Sequence, residues 1–266
     1  KSVQSLDLLI ALAGSVAVLS LMMAIGFIIA MRSGNGGWAD TIWTFAIGLA
    51  GLTAIFILGG PEPGPRRWLA AGLAALWSLR LGVYLFGRTQ GKAEDARYAD
   101  LRREWGEAHP RRLFWFLQAQ AAAGLPLVGA MALAANRPGP IDMFDVVGAA
   151  VLLTGVVGTG VSDWQLARFK ADPRNKGRVC DVGLWSLSRH PNYFFEWLSW
   201  CAWPIIAFDI VGYPVGLLAL LAPALMYHLL AHVSGVPPLE AHMERSRPEA
   251  FAAYKARVPV FFPKLF

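Results

Sequence analysis

The residue types best suited to chemistry are concentrated in one segment, 184–196, which reads LWSLSRHPNYFFE. Its proline suits the first turn of a helix, so Asn192 and Glu196 fall one turn apart on one helix face. An acidic residue just inside a membrane helix is costly unless it has a partner or faces a polar cavity. Arg189 and His190 precede that proline and could bind phosphate, the arginine through a bidentate fork. The alternative is a snorkelling Arg–His pair with an interhelical Asn–Glu hydrogen bond.

Asp163 is a second ionisable group, and the cations Arg168, Lys170 and Arg178 follow it. Taken alone, Asp163 could mark a helix terminus, and the cations could mark only the cytoplasmic side of a membrane. Combined with the 184–196 segment, these groups predict a pocket for a ligand that carries phosphates together with ribose or amide donors. The sequence has no glycine-rich phosphate loop and no metal-ligand spacing, so no metal site is predicted.

The elements that must position these residues are membrane helices. Of the 266 residues, 56% are hydrophobic and only 16% are charged, and the mean hydropathy is +0.45. This composition excludes a disordered chain and argues against a soluble domain. The apolar residues form long runs, which predict an all-α, polytopic membrane protein with about seven spans. The spans are expected at 8–31, 40–60, 68–87, 113–135, 141–164, 194–208 and 210–232.

The basic residues predict the orientation of these spans. Of the 24 Lys and Arg residues, 19 lie in segments on one side of the seven-span arrangement, four lie on the other side, and Arg80 lies within a span. By the positive-inside rule, the N-terminus is outside and the C-terminus is cytoplasmic. The net charge of +6 therefore requires no nucleic-acid partner.

The segment 185–196 resembles the C-terminal signature of the steroid 5-alpha-reductase and sterol reductase superfamily. It is especially similar to the bacterial membrane proteins of that group, which are catalogued as a domain of unknown function. Further positions match in order along the chain: the segment 94–98 (EDARY), Ser162 and Asp163 with Arg168, the segment 240–243 (EAHM), and Tyr254 before Val258 and Pro259.

The resemblance implies a single membrane-embedded reductase domain over 1–266, with a substrate half at about 1–135 and a cofactor half at about 141–266. In that superfamily NADPH, bound on the cytoplasmic side, reduces a carbon–carbon double bond of a steroid-like or isoprenoid lipid. The expected localisation is the bacterial inner membrane. The expected partners are a hydrophobic substrate and membrane lipids, with no nucleic acid and no obligate protein partner. The implied cofactor-binding residues are Asp163, Arg168, Lys170, Arg178, Trp185, Arg189, His190, Asn192, Tyr193, Glu196, Glu240 and Tyr254.

Roles within this set follow from side-chain chemistry. Asn192 and Glu196 could hold the nicotinamide carboxamide, since Asn offers a donor and an acceptor while Glu accepts. The cations would neutralise the diphosphate and the 2′-phosphate, and Tyr254 could stack on adenine.

Reduction of an enone also requires a proton donor at the carbonyl oxygen. Steroid 5-alpha-reductases use a Gln–Glu pair and a Tyr, but this sequence lacks the pair and has Trp77 at the Tyr position. The remaining candidates are Tyr84, Asp40 and Tyr98. Each has a structural alternative: Tyr84 could pack within its span, Asp40 could cap a helix, and Tyr98 could belong to a segment that either covers the cofactor pocket or caps a loop helix.

Two other functions fit parts of the sequence. Arg-His-Pro followed by an aromatic residue, with Glu240 and Tyr254 downstream, also resembles isoprenylcysteine and phospholipid methyltransferases, which bind S-adenosylmethionine. Asn192, Glu196 and Asp163 favour the reductase. The third possibility is a non-catalytic lipid-binding protein that retains the pocket.

Overall fold

The computed structural model describes residues 5–58 and 62–264, and within them every regular element is helical. The predicted all-α class is thereby confirmed for this part of the chain. Short 3-10 segments connect several of the α-helices. The α-helices are α1 (Ser5–Ser33), α2 (Trp38–Leu58), α3 (Pro65–Thr89), α4 (Ala96–Trp105), α5 (His109–Ala135), α6 (Met143–Ala171), α7 (Pro191–Ile206), α8 (Leu221–His228), α9 (Val236–Ser246) and α10 (Pro248–Lys255).

Helix length and composition are those of a multi-pass membrane protein. Six helical segments of the described chain are long and apolar enough to cross a bilayer, against the seven predicted from the sequence. The difference lies at α7, which covers the predicted span at 194–208 but has only 16 residues. The six segments are Leu9–Ser33, Trp38–Leu58, Pro65–Thr89, Ala96–Ala135, Met143–Ala171 and Pro214–Ser246.

The chain divides into two compact units. The first contains the described residues of Lys1–Val146 together with Trp203–Leu221, and the second contains Val147–Ala202 together with the described residues of Ala222–Phe266. The predicted boundary between a substrate half and a cofactor half, at about 135–141, falls close to the first division between the units. The pattern of apolar runs does not indicate that Trp203–Leu221 belongs to the first unit.

Small residues bring the helices of the first unit close together. Helix α2 packs against α1, α3 and α5. A Cβ atom at Gly48 would lie 2.2 Å from Ser78 Oγ, and one at Gly51 would lie 2.4 Å from Met131 Sδ. A larger residue at Gly48 would therefore clash with Ser78, and one at Gly51 would require the Met131 side chain to move.

A buried ion-pair network joins the start of α3 to the connection between α5 and α6 in the first unit. Asp145 is completely buried and accepts from Arg66 Nε at 2.7 Å and from Arg137 Nη2 at 3.0 Å. Arg137 also pairs with Asp142 at 2.7 Å, and this hydrogen-bonded pairing lowers the pKa of Asp142. Arg66 donates further to the carbonyls of residues 137–140. Arg66, Arg137, Asp142 and Asp145 together form the buried network.

Candidate ligand-binding site

The second unit contains a cavity of about 580 Å³. It lies among the C-terminal end of α6, the loop that follows it, the residues before α7, and helices α9 and α10. All of its lining residues fall between 166 and 254. Both apolar and cationic side chains contribute to its wall. The polar and charged members are Lys170, Asp172, Asn175, Lys176, Arg178, Arg189, His190, Glu240, His242, Arg247 and Tyr254.

Several cationic side chains line the cavity. Lys176, Arg178 and Arg247 line it, and among the described residues none of these three pairs with a carboxylate. Asp172 also lines the cavity, but Arg174 donates to it and lowers its pKa to about 2. Asp172 therefore stays ionised, and its charge is compensated by Arg174. Lys176, Arg178 and Arg247 remain available to phosphate or carboxylate groups of a ligand.

Aromatic side chains form part of the apolar wall, beside aliphatic ones. Phe169, Cys180 and Trp185 pack together, and Phe251 packs with Tyr254 close by in the same cavity. The Trp185 indole donates to the carbonyl of Ser162 at 2.9 Å, and the Tyr254 hydroxyl donates to the carbonyl of Trp185 at 2.5 Å. Burial raises the pKa of both Cys180 and Tyr254, so the thiol and the phenol stay protonated at neutral pH. This wall suits a flat ring system.

Glu240 connects α9 to the residues that precede α7. Its Oε1 accepts from Arg189 Nε at 2.7 Å and lies 3.0 Å from His190 Nε2. Arg189 Nη1 donates to the carbonyl of Val258 at 2.8 Å. The guanidinium fork expected to bind phosphate is therefore occupied by Glu240 and by a backbone carbonyl.

The segment Leu187–Arg189 also pairs with the C-terminal segment 259–264. Arg189 N donates to the carbonyl of Pro259 at 2.9 Å, and Lys264 N donates to the carbonyl of Leu187 at 2.8 Å. Between them, Ser188 Oγ donates to the carbonyl of Phe261 at 2.8 Å. Much of the sequence motif thus holds the end of the described chain in place.

Seven of the twelve predicted cofactor residues line the cavity. They come from five parts of the chain: α6, the loop after it, the residues before α7, α9 and α10. The seven are Lys170, Arg178, Trp185, Arg189, His190, Glu240 and Tyr254.

The other five predicted cofactor residues do not line this cavity. Asn192 donates to Asp163 at 3.4 Å, and Glu196 accepts from the Trp200 indole at 3.2 Å. The Asn192 partner is thus an acid on α6. The remaining two make ring contacts: the Tyr193 ring stacks on the ring of His190 with centroids 5.4 Å apart, and the Arg168 guanidinium lies 5.4 Å from the Trp164 ring.

The alternative that Asp163 marks a helix terminus is wrong. Helix α6 continues to Ala171, and Asp163 is buried within it. The predicted span ends at 164 because the apolar run stops there. The backbone remains helical beyond that point because Leu166 and Phe169 repeat at helical spacing and pack against the cavity wall.

Lys176, His242 and Arg247 line the cavity but are not among the residues predicted from the sequence. Lys176 belongs to the basic loop after α6, whose cations the positive-inside rule already accounts for. Arg247 lies between α9 and α10 and directly precedes Pro248. Only the density of cations in these two segments could have indicated them.

The predicted proton donors all lie in the first unit. The Tyr98 hydroxyl donates to Asp40 at 2.9 Å, and Arg97 pairs with the same carboxylate. Asp40 lies in the first turn of α2 and also lines a small cavity of about 70 Å³. Tyr84 is half-buried, with the Arg80 guanidinium 5.6 Å from its ring.

The segment 94–98 caps a loop helix, which is one of its two predicted roles. Asp95 accepts from the backbone N–H of Arg97 at 3.0 Å at the start of α4. Glu94 accepts from Gly36 N at 2.8 Å and from Arg102 at 2.9 Å. These contacts attach α4 to the connection between α1 and α2 within the first unit.

Fold and site define a helical membrane protein with an anion-attracting, aromatic-walled cavity in its C-terminal unit. A family model described as "Protein of unknown function (DUF1295)" matches residues 26–258. The chain belongs to that family. No curated protein matches the chain in a sequence comparison.

Proposed function

We propose that this protein is an NADPH-dependent membrane reductase, related to the steroid 5-alpha-reductase and sterol reductase superfamily. Its reaction is the reduction of an enone-type carbon–carbon double bond in a hydrophobic steroid-like or isoprenoid substrate. The observation that carries this proposal is the cavity of about 580 Å³, whose wall combines unpaired cations with aromatic rings. A nucleotide with several phosphates and flat bases matches both properties.

The charges and rings of the cavity wall support NADPH as the ligand. Lys176, Arg178 and Arg247 would neutralise the diphosphate and the 2′-phosphate, as guanidinium and ammonium groups do elsewhere. Trp185 and Tyr254 would flank a base. When bound, NADPH supplies the hydride.

The protein must supply the proton and a hydrogen bond to the carbonyl oxygen of the substrate. Of the three candidates, Tyr98 already donates to Asp40, and Arg97 compensates the charge of that carboxylate. Asp40 and Tyr98 are therefore assigned as a pair that positions α4, and Tyr84 is the donor that is tested first. The corresponding test is Tyr84→Phe, which should retain NADPH binding and lose turnover of an accepted enone.

The proposal includes a seven-span topology in a bacterial inner membrane, with the cavity facing the cytoplasm. Helix α7 would be the seventh span, since its 16 residues extend about 24 Å, slightly less than the hydrocarbon thickness. The asymmetry of 19 against four basic residues supports a cytoplasmic C-terminus.

Thermal unfolding of the detergent-purified protein tests the proposal. NADPH should raise the unfolding temperature more than NADH does, because a ligand that binds only the folded state stabilises it by mass action. Arg178→Gln should reduce this shift. Arg257→Gln is the matched control, since Arg257 lies outside the cavity wall, is 62% exposed and pairs with Asp181. If NADPH does not raise the unfolding temperature of the unmodified protein, the proposal is refuted.

One observation keeps the methyltransferase as a second candidate. Asn192 and Glu196, two of the residues that favour the reductase in the sequence, do not line the cavity. S-adenosylmethionine should therefore be included in the same thermal experiment. A shift with S-adenosylmethionine and none with NADPH would establish the second candidate in place of the first.

A further inference from the structure

The imidazole of His190 is buried, and only one of its two ring nitrogens has a hydrogen-bond partner among the described residues. The residue is 3% exposed and belongs to the wall of the large cavity. Nε2 lies 3.0 Å from Glu240 Oε1. Among the described residues, Nδ1 has no hydrogen-bond partner, although this atom is buried. Buried polar atoms are nearly always hydrogen-bonded, so the free Nδ1 edge requires an explanation.

The contact with Glu240 determines which nitrogen carries the proton. Glu240 is paired with Arg189, and a carboxylate in such a pair has only acceptor atoms. Nε2 must therefore be the donor. Burial lowers the pKa of His190, which keeps the ring neutral at pH 7. A neutral imidazole with its proton on Nε2 presents a lone pair at Nδ1.

The ring is also held against rotation. His190 stacks on Tyr193 with an interplanar angle of 4°, and its backbone N–H donates to Ser188 Oγ at 3.1 Å. Arg189, bound to Glu240 and to the carbonyl of Val258, fixes the carboxylate that binds Nε2. The lone pair at Nδ1 therefore has a fixed direction.

We propose that Glu240 is a positioning residue that holds His190 as the Nε2–H tautomer, so that Nδ1 accepts a hydrogen bond from the ligand of the cavity. The ligand must then carry a hydroxyl or N–H donor in addition to its anionic groups. A ribose hydroxyl or a base amino group meets this requirement, whereas a phosphodiester or a fatty acid anion at pH 7 does not. The choice of NADPH as that ligand rests on the proposed function.

Two variants of His190 separate the acceptor role from a merely structural one. The side-chain oxygen of His190→Asn lies near the position of Nδ1 and keeps an acceptor there, but this variant loses the contact with Glu240. His190→Gln reaches the position of Nε2 and keeps the contact with Glu240, but it loses the acceptor. The proposal predicts that His190→Gln binds NADPH about tenfold more weakly than His190→Asn does. Equal affinities, or the opposite order, would overturn it.

His228→Gln serves as the control, because His228 lies outside the cavity wall and is exposed. Glu240→Gln should also weaken NADPH binding. Its amide can donate to Nε2, which would move the ring proton to Nδ1 and convert the acceptor into a donor.

The tautomer is tested separately, without any ligand, by 15N NMR of histidine-labelled protein in detergent. Protonated and unprotonated ring nitrogens give well-separated signals, and His190→Gln assigns the signal among the five histidines. A proton on Nδ1 in the ligand-free protein would overturn the proposal.

The outcomes distinguish the inference from the function on which it rests. NADPH binding that is equal in both His190 variants refutes the role of His190 and leaves the reductase proposal intact. If NADPH does not bind the unmodified protein, the reductase proposal fails, and the same two variants are compared with S-adenosylmethionine, which also has ribose hydroxyls. If neither NADPH nor S-adenosylmethionine binds, both the reductase proposal and the role of His190 are refuted.

Discussion

The buried network of the first unit and the cavity of the second unit use the same residue types in opposite ways. In the buried network, Arg66 and Arg137 lie against Asp145, and the remaining donors of Arg66 bind backbone carbonyls. In the cavity wall, Lys176 and Arg178 have no carboxylate partner among the described residues. A charge that is fully paired holds the fold together, whereas an unpaired charge beside a cavity is available to a ligand. The pairing of cations, rather than their number, therefore distinguishes structure from site.

Of the changes that test this comparison, Asp145→Asn should have the largest effect, which is a loss of stability. It leaves two buried guanidinium groups without their shared carboxylate, and breaking such a buried pair costs about 3–5 kcal/mol. The midpoint of unfolding in detergent measures this loss. Asp142→Asn, at a carboxylate that is 41% exposed, is the milder control. If the two variants proved equally stable, burial of the shared carboxylate would not be what stabilises the network.

Arg247→Gln should lower NADPH affinity and leave stability nearly unchanged, in contrast to Asp145→Asn. Since Arg247 has no carboxylate partner among the described residues, its loss should leave the unfolding midpoint of the ligand-free protein nearly unchanged. NADPH affinity should fall by about tenfold, as expected for one charge-assisted hydrogen bond. Titration of NADPH against the purified variant checks the second part. Large destabilisation without loss of affinity would reverse the roles assigned to the two regions.

Salt should affect the two regions differently, and the expected effect on NADPH affinity is a few-fold. Raising the salt from about 0.05 M to about 0.5 M screens the solvent-accessible cations at the cavity, so NADPH binding should weaken. The buried network should respond much less, because buried pairs are poorly screened. The comparison requires a binding titration and an unfolding curve at each salt concentration. NADPH affinity that is independent of salt would contradict an electrostatic role for the cavity cations.

The smallest expected effect is a difference in pH dependence. The pKa of His190 is lowered by burial, so the folded state takes up its proton less readily than the unfolded state does. The contribution of neutral His190 to stability is therefore fully present above about pH 6.5 and is lost as the pH falls below that value. The pKa of Asp142 is lowered by Arg137, so its contribution is present above about pH 3.8 and is lost only below it.

Unfolding midpoints between about pH 8 and about pH 4.5 therefore report on histidines, among them His190, and not on Asp142. His190→Gln should flatten the decline below about pH 6.5. An unchanged decline in that variant would assign it to another group.

The fold class and most helix positions could be predicted from the sequence, because an uninterrupted run of about 20 apolar residues is typical of a membrane-spanning helix. Prediction failed where tertiary contacts decide the outcome. Helix α6 continues past the apolar run because Phe169 has a packing partner, and α7 ends after 16 residues, before the predicted end of its span.

The candidate site could be predicted in part for a similar reason. Residue type indicates which side chains could bind an anion, and Lys170, Arg178 and Tyr254 do line the cavity. Residue type could not show that the guanidinium of Arg189 is already bound to Glu240, since that contact joins positions 51 residues apart. Nor could it show that Tyr98 and Asp40, which are 58 residues apart, bind each other.

The pairing of Leu187–Arg189 with residues 259–264 constrains the order of assembly. Ser188 and Phe261 are separated by 73 residues, so the wall of the cavity that contains His190 cannot be completed until the segment 259–264 has been synthesised. Because that pairing completes the wall, a ligand that binds the cavity would stabilise the chain only after this segment is in place.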